Sequence, residues 1–173
     1  TKFSYKAGLR GEFSTVTLSS THENLHKRNN GFFLAPSLSG TYKVSAGDEL
    51  AVAFSRRIGR PSYPQLNPYM SMVDATTYEQ GNMNLTPEQS SKLDLSYSHN
   101  GKSLKLFADV YLYHTSGYIS ETTKFQDDIL VTTYINAESD WKAGTDMSLK
   151  YIPNQWINAT LSTNTYYTKS EGG

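Results

Sequence analysis

The chain has 173 residues, and its 16 basic and 16 acidic side chains cancel. That balance removes the electrostatic case for nucleic acid, and the absence of cysteine removes disulfides, thiol chemistry and Cys-ligated metals. No apolar run approaches the ~20 residues of a transmembrane helix, but a transmembrane strand needs only about 10 with one apolar face. The 37% hydrophobic content is thin for a globular core, and 13 tyrosines with 7 phenylalanines favour strands, so all-β is the expected class.

Alternation of apolar and polar residues predicts seven strands. The first, about 3–13, puts Phe3, Tyr5, Ala7, Leu9 and Phe13 on one face. Turn-forming residues at 19–24 and 26–30 then predict a polar loop. The second strand, about 32–44, sets Leu34, Leu38, Tyr42 and Val44 against serines, threonine and lysine, with an irregularity expected at Pro36. After a tight turn at 45–48 comes Leu50, Val52 and Phe54, and then residues 55–88, which hold four of the six prolines. Proline fixes φ and has no N–H, so this segment reads as a long structured loop. A fourth strand carries Leu93, Leu95 and Tyr97 and ends at Asn100-Gly101, a hairpin signal. The fifth shows the clearest alternation: Leu104, Leu106, Ala108, Val110 and Leu112 on one side, charge and aromatic rings on the other. Segments 119–123 and 129–135 predict a projecting hairpin turning at 126–128. Trp141 to Tyr151 and Ile157 to Asn164 supply the last two strands, joined at Pro153-Asn154-Gln155.

The connections alternate long and short, so an up-and-down antiparallel meander places every long loop at one end. Outer-membrane barrels have that asymmetry, with short periplasmic turns and long extracellular loops. A soluble β-sandwich alternates in the same way, and a binding module of that kind, for carbohydrate, is the alternative reading.

The run Arg56-Arg57-Ile58-Gly59-Arg60-Pro61-Ser62-Tyr63-Pro64-Gln65-Leu66-Asn67-Pro68, then Gly81-Asn82-Met83-Asn84-Leu85-Thr86-Pro87-Glu88, resembles the barrel region of TonB-dependent outer-membrane receptors, particularly the outer-membrane β-barrel family abundant in Bacteroidetes. Met83 stands where that pattern has proline. Phe3 to Arg10 and Tyr134-Ile135-Asn136-Ala137 add to the likeness. The resemblance implies a plugged barrel of roughly 22 strands that imports a bulky, scarce nutrient with energy delivered through TonB. On that reading residues 1–173 form a partial barrel domain. The plug and closing strands, with their terminal aromatic, would lie elsewhere in the parent. Outer-membrane lipid, TonB, a plug domain and the transported ligand would be its partners, and an isolated piece would self-associate through its sheet edges.

Catalytic signals are poor. His22 and His26 flank Glu23 in a polar loop, which reads as solvated sequence rather than a metal site, and no phosphate loop, nucleophile elbow or HExxH motif is present. Neither an enzyme nor a cofactor is expected. The candidate ligand-binding residues are Arg56, Arg57, Arg60, Tyr63, Tyr69 and Tyr78 in the long loop, which offer ion pairing and ring stacking to an anionic or glycan ligand. The competing structural role pairs the arginines with Glu88, Asp94 and Asp109 and packs the tyrosines on the rim.

Overall fold

The computed structural model describes residues 2–20, 25–126 and 128–171. In chain order the elements are β1 (Phe3–Ser20), β2 (Leu25–Lys43), β3 (Asp48–Gly59), the single helical turn α1 (Tyr63–Leu66), β4 (Ser71–Met72), β5 (Thr77–Glu79) and β6 (Glu88–Asn100). They continue with β7 (Leu104–Ser116), β8 (Ile119–Gln126), β9 (Ile129–Asn136), β10 (Ser139–Asn154) and β11 (Ile157–Glu171). Seven of the strands make one antiparallel meander in the order β1-β2-β3-β6-β7-β10-β11, and the two long loops contribute a separate four-stranded sheet, β4-β5-β9-β8. The expected seven-strand wall and projecting hairpin are both present.

Two expectations about strand extent fail. β3 runs on to Gly59, into the segment 55–88 expected as loop. Residues 26–30 are strand, not loop: β1 and β2 pair without interruption from Phe3↔Tyr42 to Ser20↔Leu25. Residues 26–30 are polar on both faces, so they carry no alternation to read.

The register stacks apolar residues in rows across the wall. Ala7, Leu38, Phe54, Leu93, Leu112, Ala143 and Tyr167 form one such row on the same face. This face is uncovered. Leu104, Val110 and Leu112 are 39%, 56% and 40% exposed, where the sandwich alternative would bury them against a second sheet. The second sheet instead sits at the loop end.

The apolar band also drifts along the strands. On β1 it runs from Phe3 to Phe13, and on β11 from Ile157 to Tyr167. Tyr167, at the top of β11, lies in the row of Ala7, three outward positions below Phe13. Both limits of the band therefore move by six residues over the six strand-to-strand steps of the sheet, one residue per step. With a rise of about 3.3 Å per residue and about 4.8 Å between strands, a level band requires strands tilted by roughly 35°, the tilt of a closed barrel.

The opposite face is polar. Lys92 pairs with Asp94 at 2.5 Å and stands 5.1 Å from the ring centroid of Tyr113, while Lys142 lies 4.2 Å from that of Tyr166. Tyr111 is buried here because it lies across Gly144, where an added Cβ would meet the phenolic oxygen at 2.5 Å. Four of the six buried apolar residues, Leu66, Leu85, Val131 and Ala137, belong to the loop layer. The wall thus has no dry core of its own among the described residues, and its outer face needs an apolar solvent.

Val110→Arg, near the middle of the band, should destabilise the full-length protein refolded in phospholipid vesicles by about 2–4 kcal/mol, against about 0–1 kcal/mol for Ser116→Arg beyond the band. Denaturant titration of both variants checks this. Equal costs would mean that the face does not meet lipid.

Candidate functional site

The site begins at Pro36. β2 pairs with β1 along its whole length but with β3 only from Ser37 to Lys43. The next residue has no N–H to give, so the β2–β3 ladder stops there. Beyond it β1 and β2 rise as a two-stranded ribbon, while β3 continues to Gly59 paired with β6. The proline-rich loop packs into the angle between ribbon and wall.

Local chemistry fixes that loop. Gln65 Oε1 accepts from the Ser62 N–H at 2.8 Å and the Ser62 hydroxyl at 3.0 Å, which starts α1, with Pro64 in its first turn, where no N–H is needed. Gly81 then crosses α1 closely: its N–H donates to Asn67 O at 2.8 Å, and an added Cβ would meet Pro64 O and Asn67 N at 2.5 and 2.6 Å. Only glycine fits this approach. Farther along, Asp74 accepts the N–H groups of Thr76 and Thr77 at 2.9 and 2.8 Å, and these bonds hold its carboxyl below the usual carboxylate range.

The second long loop is tied to the first. β5 pairs with β9 in parallel, Thr77↔Leu130 to Glu79↔Thr132. Asn82 Nδ2 donates to Tyr134 O at 2.8 Å. Asn136 bridges both segments: its Oδ1 accepts the Thr86 N–H at 2.8 Å, and its Nδ2 donates to Gly117 O at 2.7 Å and Thr86 O at 3.0 Å. The Tyr134 hydroxyl donates to Glu79 Oε1 at 2.7 Å, and the nearby carboxylate pushes the phenol up to about 12.

Between ribbon and loop lies a cavity of about 590 Å³. Val16, Phe33, Leu66, Leu85 and Pro87 supply its apolar surface, and Asn29, Asn30, Asn84 and Gln89 supply amides. Three cations border it, among them Arg28, whose Nε donates to Asn30 Oδ1 at 3.3 Å. Lys27 Nζ donates to Asn84 Oδ1, and Arg60 pairs with Glu12 across β2 while its Nε reaches Ser14 Oγ at 3.4 Å. Arg10 joins the same carboxylate at 2.7 Å. Amides, cations and an apolar floor can together hold a polar or anionic solute larger than a simple ion.

The six sequence candidates do not converge. Arg60 lines this cavity. Arg57 faces the inner side opposite Ser90, and Arg56, beside it in the chain, faces outward with its Nε 3.1 Å from Ser91 Oγ. Tyr63 on α1 is 72% exposed. The Tyr69 N–H donates to Asn67 Oδ1 at 3.3 Å, and Tyr78 sits in β5 between Met72 and Val131. The carboxylates expected to pair with the arginines have other partners: Glu88 accepts the Ile119 N–H at 3.2 Å, and Asp94 is bound to Lys92. Sequence reasoning missed Glu12, Lys27, Asn84 and Asn136. His22, Glu23 and Asp127 lie outside the described residues. Among the described residues no group of three or more His, Asp or Glu side chains could hold a metal ion.

The family described as the outer membrane protein beta-barrel family matches residues 1–173. No curated protein matches the chain. Among solved structures, the copper transporter OprC is 15% identical with a TM-score of 0.78, over 99% of this chain and 27% of that one. The siderophore receptor PirA from Pseudomonas aeruginosa is 16% identical with a TM-score of 0.69, over 96% of this chain and 35% of that one. The FrpB iron transporter from Neisseria meningitidis (F5-1 variant) is 13% identical with a TM-score of 0.69, over 98% and 24%. The chain therefore spans about a quarter to a third of the length of these structures.

Asn136→Ala removes three loop hydrogen bonds at about 0.5–1.5 kcal/mol each. Amide exchange should then accelerate at residues 84–86 and 117–119 while β7 and β10 stay protected. The Tyr134 phenol should titrate near 12 and fall back towards 10 in Glu79→Gln. Because the folded value is raised, this bond's contribution is full below about pH 10 and is lost as pH climbs through about 12. Ultraviolet titration of both proteins follows it.

Proposed function

The chain belongs to the outer membrane protein beta-barrel family, and from that premise we propose that it forms a seven-stranded section of the wall of a TonB-dependent receptor that imports a large nutrient. Its place is the outer membrane of a Gram-negative bacterium. The observation that carries the reading is the wall itself: an uncovered apolar outer face, a polar inner face, and a loop layer closing one end. β1 and β11 each pair on one side only, so in the bilayer their outer edges require further strands. A plug domain of the same protein faces Lys92, Asp94 and Lys142 on the inner side, and TonB acts through that plug.

The imported solute first meets the loop end. Lys27 and Arg60 give it charge-assisted donors, Asn29, Asn84 and Gln89 give it amide contacts, and Phe33 and Leu85 give it an apolar surface. A chelated metal, a glycan or a peptide fits this chemistry. The named metal and siderophore specificities of the structural neighbours favour an iron or copper complex as the first class to try.

Uptake of labelled ferric and cupric chelates, oligosaccharides and peptides should be compared in the parent strain, a strain lacking this gene and a strain lacking TonB. One solute should be lost in both deletions. Lys27→Ala with Arg60→Ala should then weaken its binding about tenfold or more, as expected for two charge-assisted hydrogen bonds, with the heat-induced unfolding of the barrel unchanged. Uptake that persists without TonB, or steady conductance through an open pore in a planar bilayer, would overturn the proposal. Unchanged binding in the double variant would remove the cavity from it.

A further inference from the structure

We infer that the outer face of the wall carries a site for a phosphorylated lipid headgroup, centred on Arg56 where β2 parts from β3. Arg56 is exposed on the lipid-facing side, with Phe54 before it and Ile58 after it on the same face. The drift of the apolar band puts its upper limit on β3 near Ile58, so the guanidinium emerges within the band rather than above it. A cation there is costly without a counter-charge. The described residues supply none: Arg56 donates to the neutral Ser91 hydroxyl and makes no ion pair among them. The acidic residues on the outward face of the seven wall strands are Asp48 at the turn end, bonded to His99, and Glu171, bonded to Lys169.

Room for a ligand is present. The missing ladder beyond Pro36 leaves a second cavity of about 600 Å³ in the gap between the strands, bordered on the outward face by Leu9, Arg56 and Ile58 and on the inward face by Arg10, Ser37 and Arg57. On the other side of Arg56 the same outward row continues through Ser91 and His114 to Trp141, whose ring centroid is 4.1 Å from that of His114. Tryptophan at the limit of an apolar band marks the headgroup level. A phosphate seated over Ser91 would meet a guanidinium able to bind two of its oxygens, a hydroxyl and an imidazole, while acyl chains lie along Leu9 and Ile58. The site belongs to the loop-end leaflet, where outward Arg28 adds positive charge.

The full-length protein, purified in detergent, should be titrated with lipid A bearing both phosphates and with the same lipid after their removal, bound lipid being counted by native mass spectrometry. The phosphorylated lipid should bind at least about fivefold tighter, and Arg56→Gln should abolish the difference. Ser91→Glu, which supplies Arg56 with an internal carboxylate, should do the same and serves if Arg56→Gln does not assemble. Inorganic phosphate at millimolar concentration should not compete. Equal binding of the two lipids by the wild-type protein, or an undiminished preference in the variants, overturns the site; complete displacement by inorganic phosphate reassigns it to the free ion and overturns the lipid assignment.

Discussion

Backbone amides in hydrocarbon have no water to turn to, so a strand in the bilayer must be paired along every residue that lies there. The seven wall strands obey this from the turn end upward, and nearly everything functional follows from the one place where the ladder stops. At Pro36 the β2–β3 hydrogen bonds end, and the wall divides into a rising ribbon and the continuing sheet. Cavities open at that division, one towards the loops and one in the gap between the parted strands. A residue that cannot donate is placed where donation would otherwise close the sheet.

Above the wall a different economy holds. Few apolar side chains are available to pack the loop layer, so amides and hydroxyls fix it by replacing water at backbone groups. Asn82 and Asn136 each hold backbone from a neighbouring segment, Asn67 accepts the Tyr69 N–H within its own, and glycine at 81 lets two backbones come within hydrogen-bonding distance. Leu66 and Leu85 complete the layer as small buried plugs at 5% and 2% exposure. The cations that border the inner cavity are thereby presented from a stiff frame, Arg60 held by Glu12 and Lys27 by Asn84. Such surface ion pairs contribute little to stability and are best regarded as orienting contacts.

Much of this was legible in the amino-acid sequence, for physical reasons that differ between regions. Where a strand separates lipid from water its alternation is strong, and Leu104 to Leu112 announced both the strand and its faces. Above the bilayer both faces meet water, so residues 26–30 looked like loop although they are strand. β4 and β5 were invisible because strands of two and three residues, stabilised by contact with β9, have no period of their own. Arginines adjacent in sequence looked like a cluster, yet the strand's two-residue repeat sends Arg56 and Arg57 to opposite faces. The Asn136 bridge depends on a partner 50 residues away, and no local pattern encodes it. Pro36 was the informative exception, since its missing donor can be read directly from the chain.

The parallel pairing of β5 with β9 joins loops that belong to different hairpins, and this sets an order of assembly. The wall hairpins β2–β3, β6–β7 and β10–β11 close tight turns and can form early. Thr77 and Leu130 meet only across the intervening β6 and β7, so their contact carries a larger loop-closure entropy unless those strands are already side by side. The loop layer is thus the last part of this segment to form, on a wall already in register, and its completion reports that the strands beneath it have been paired correctly.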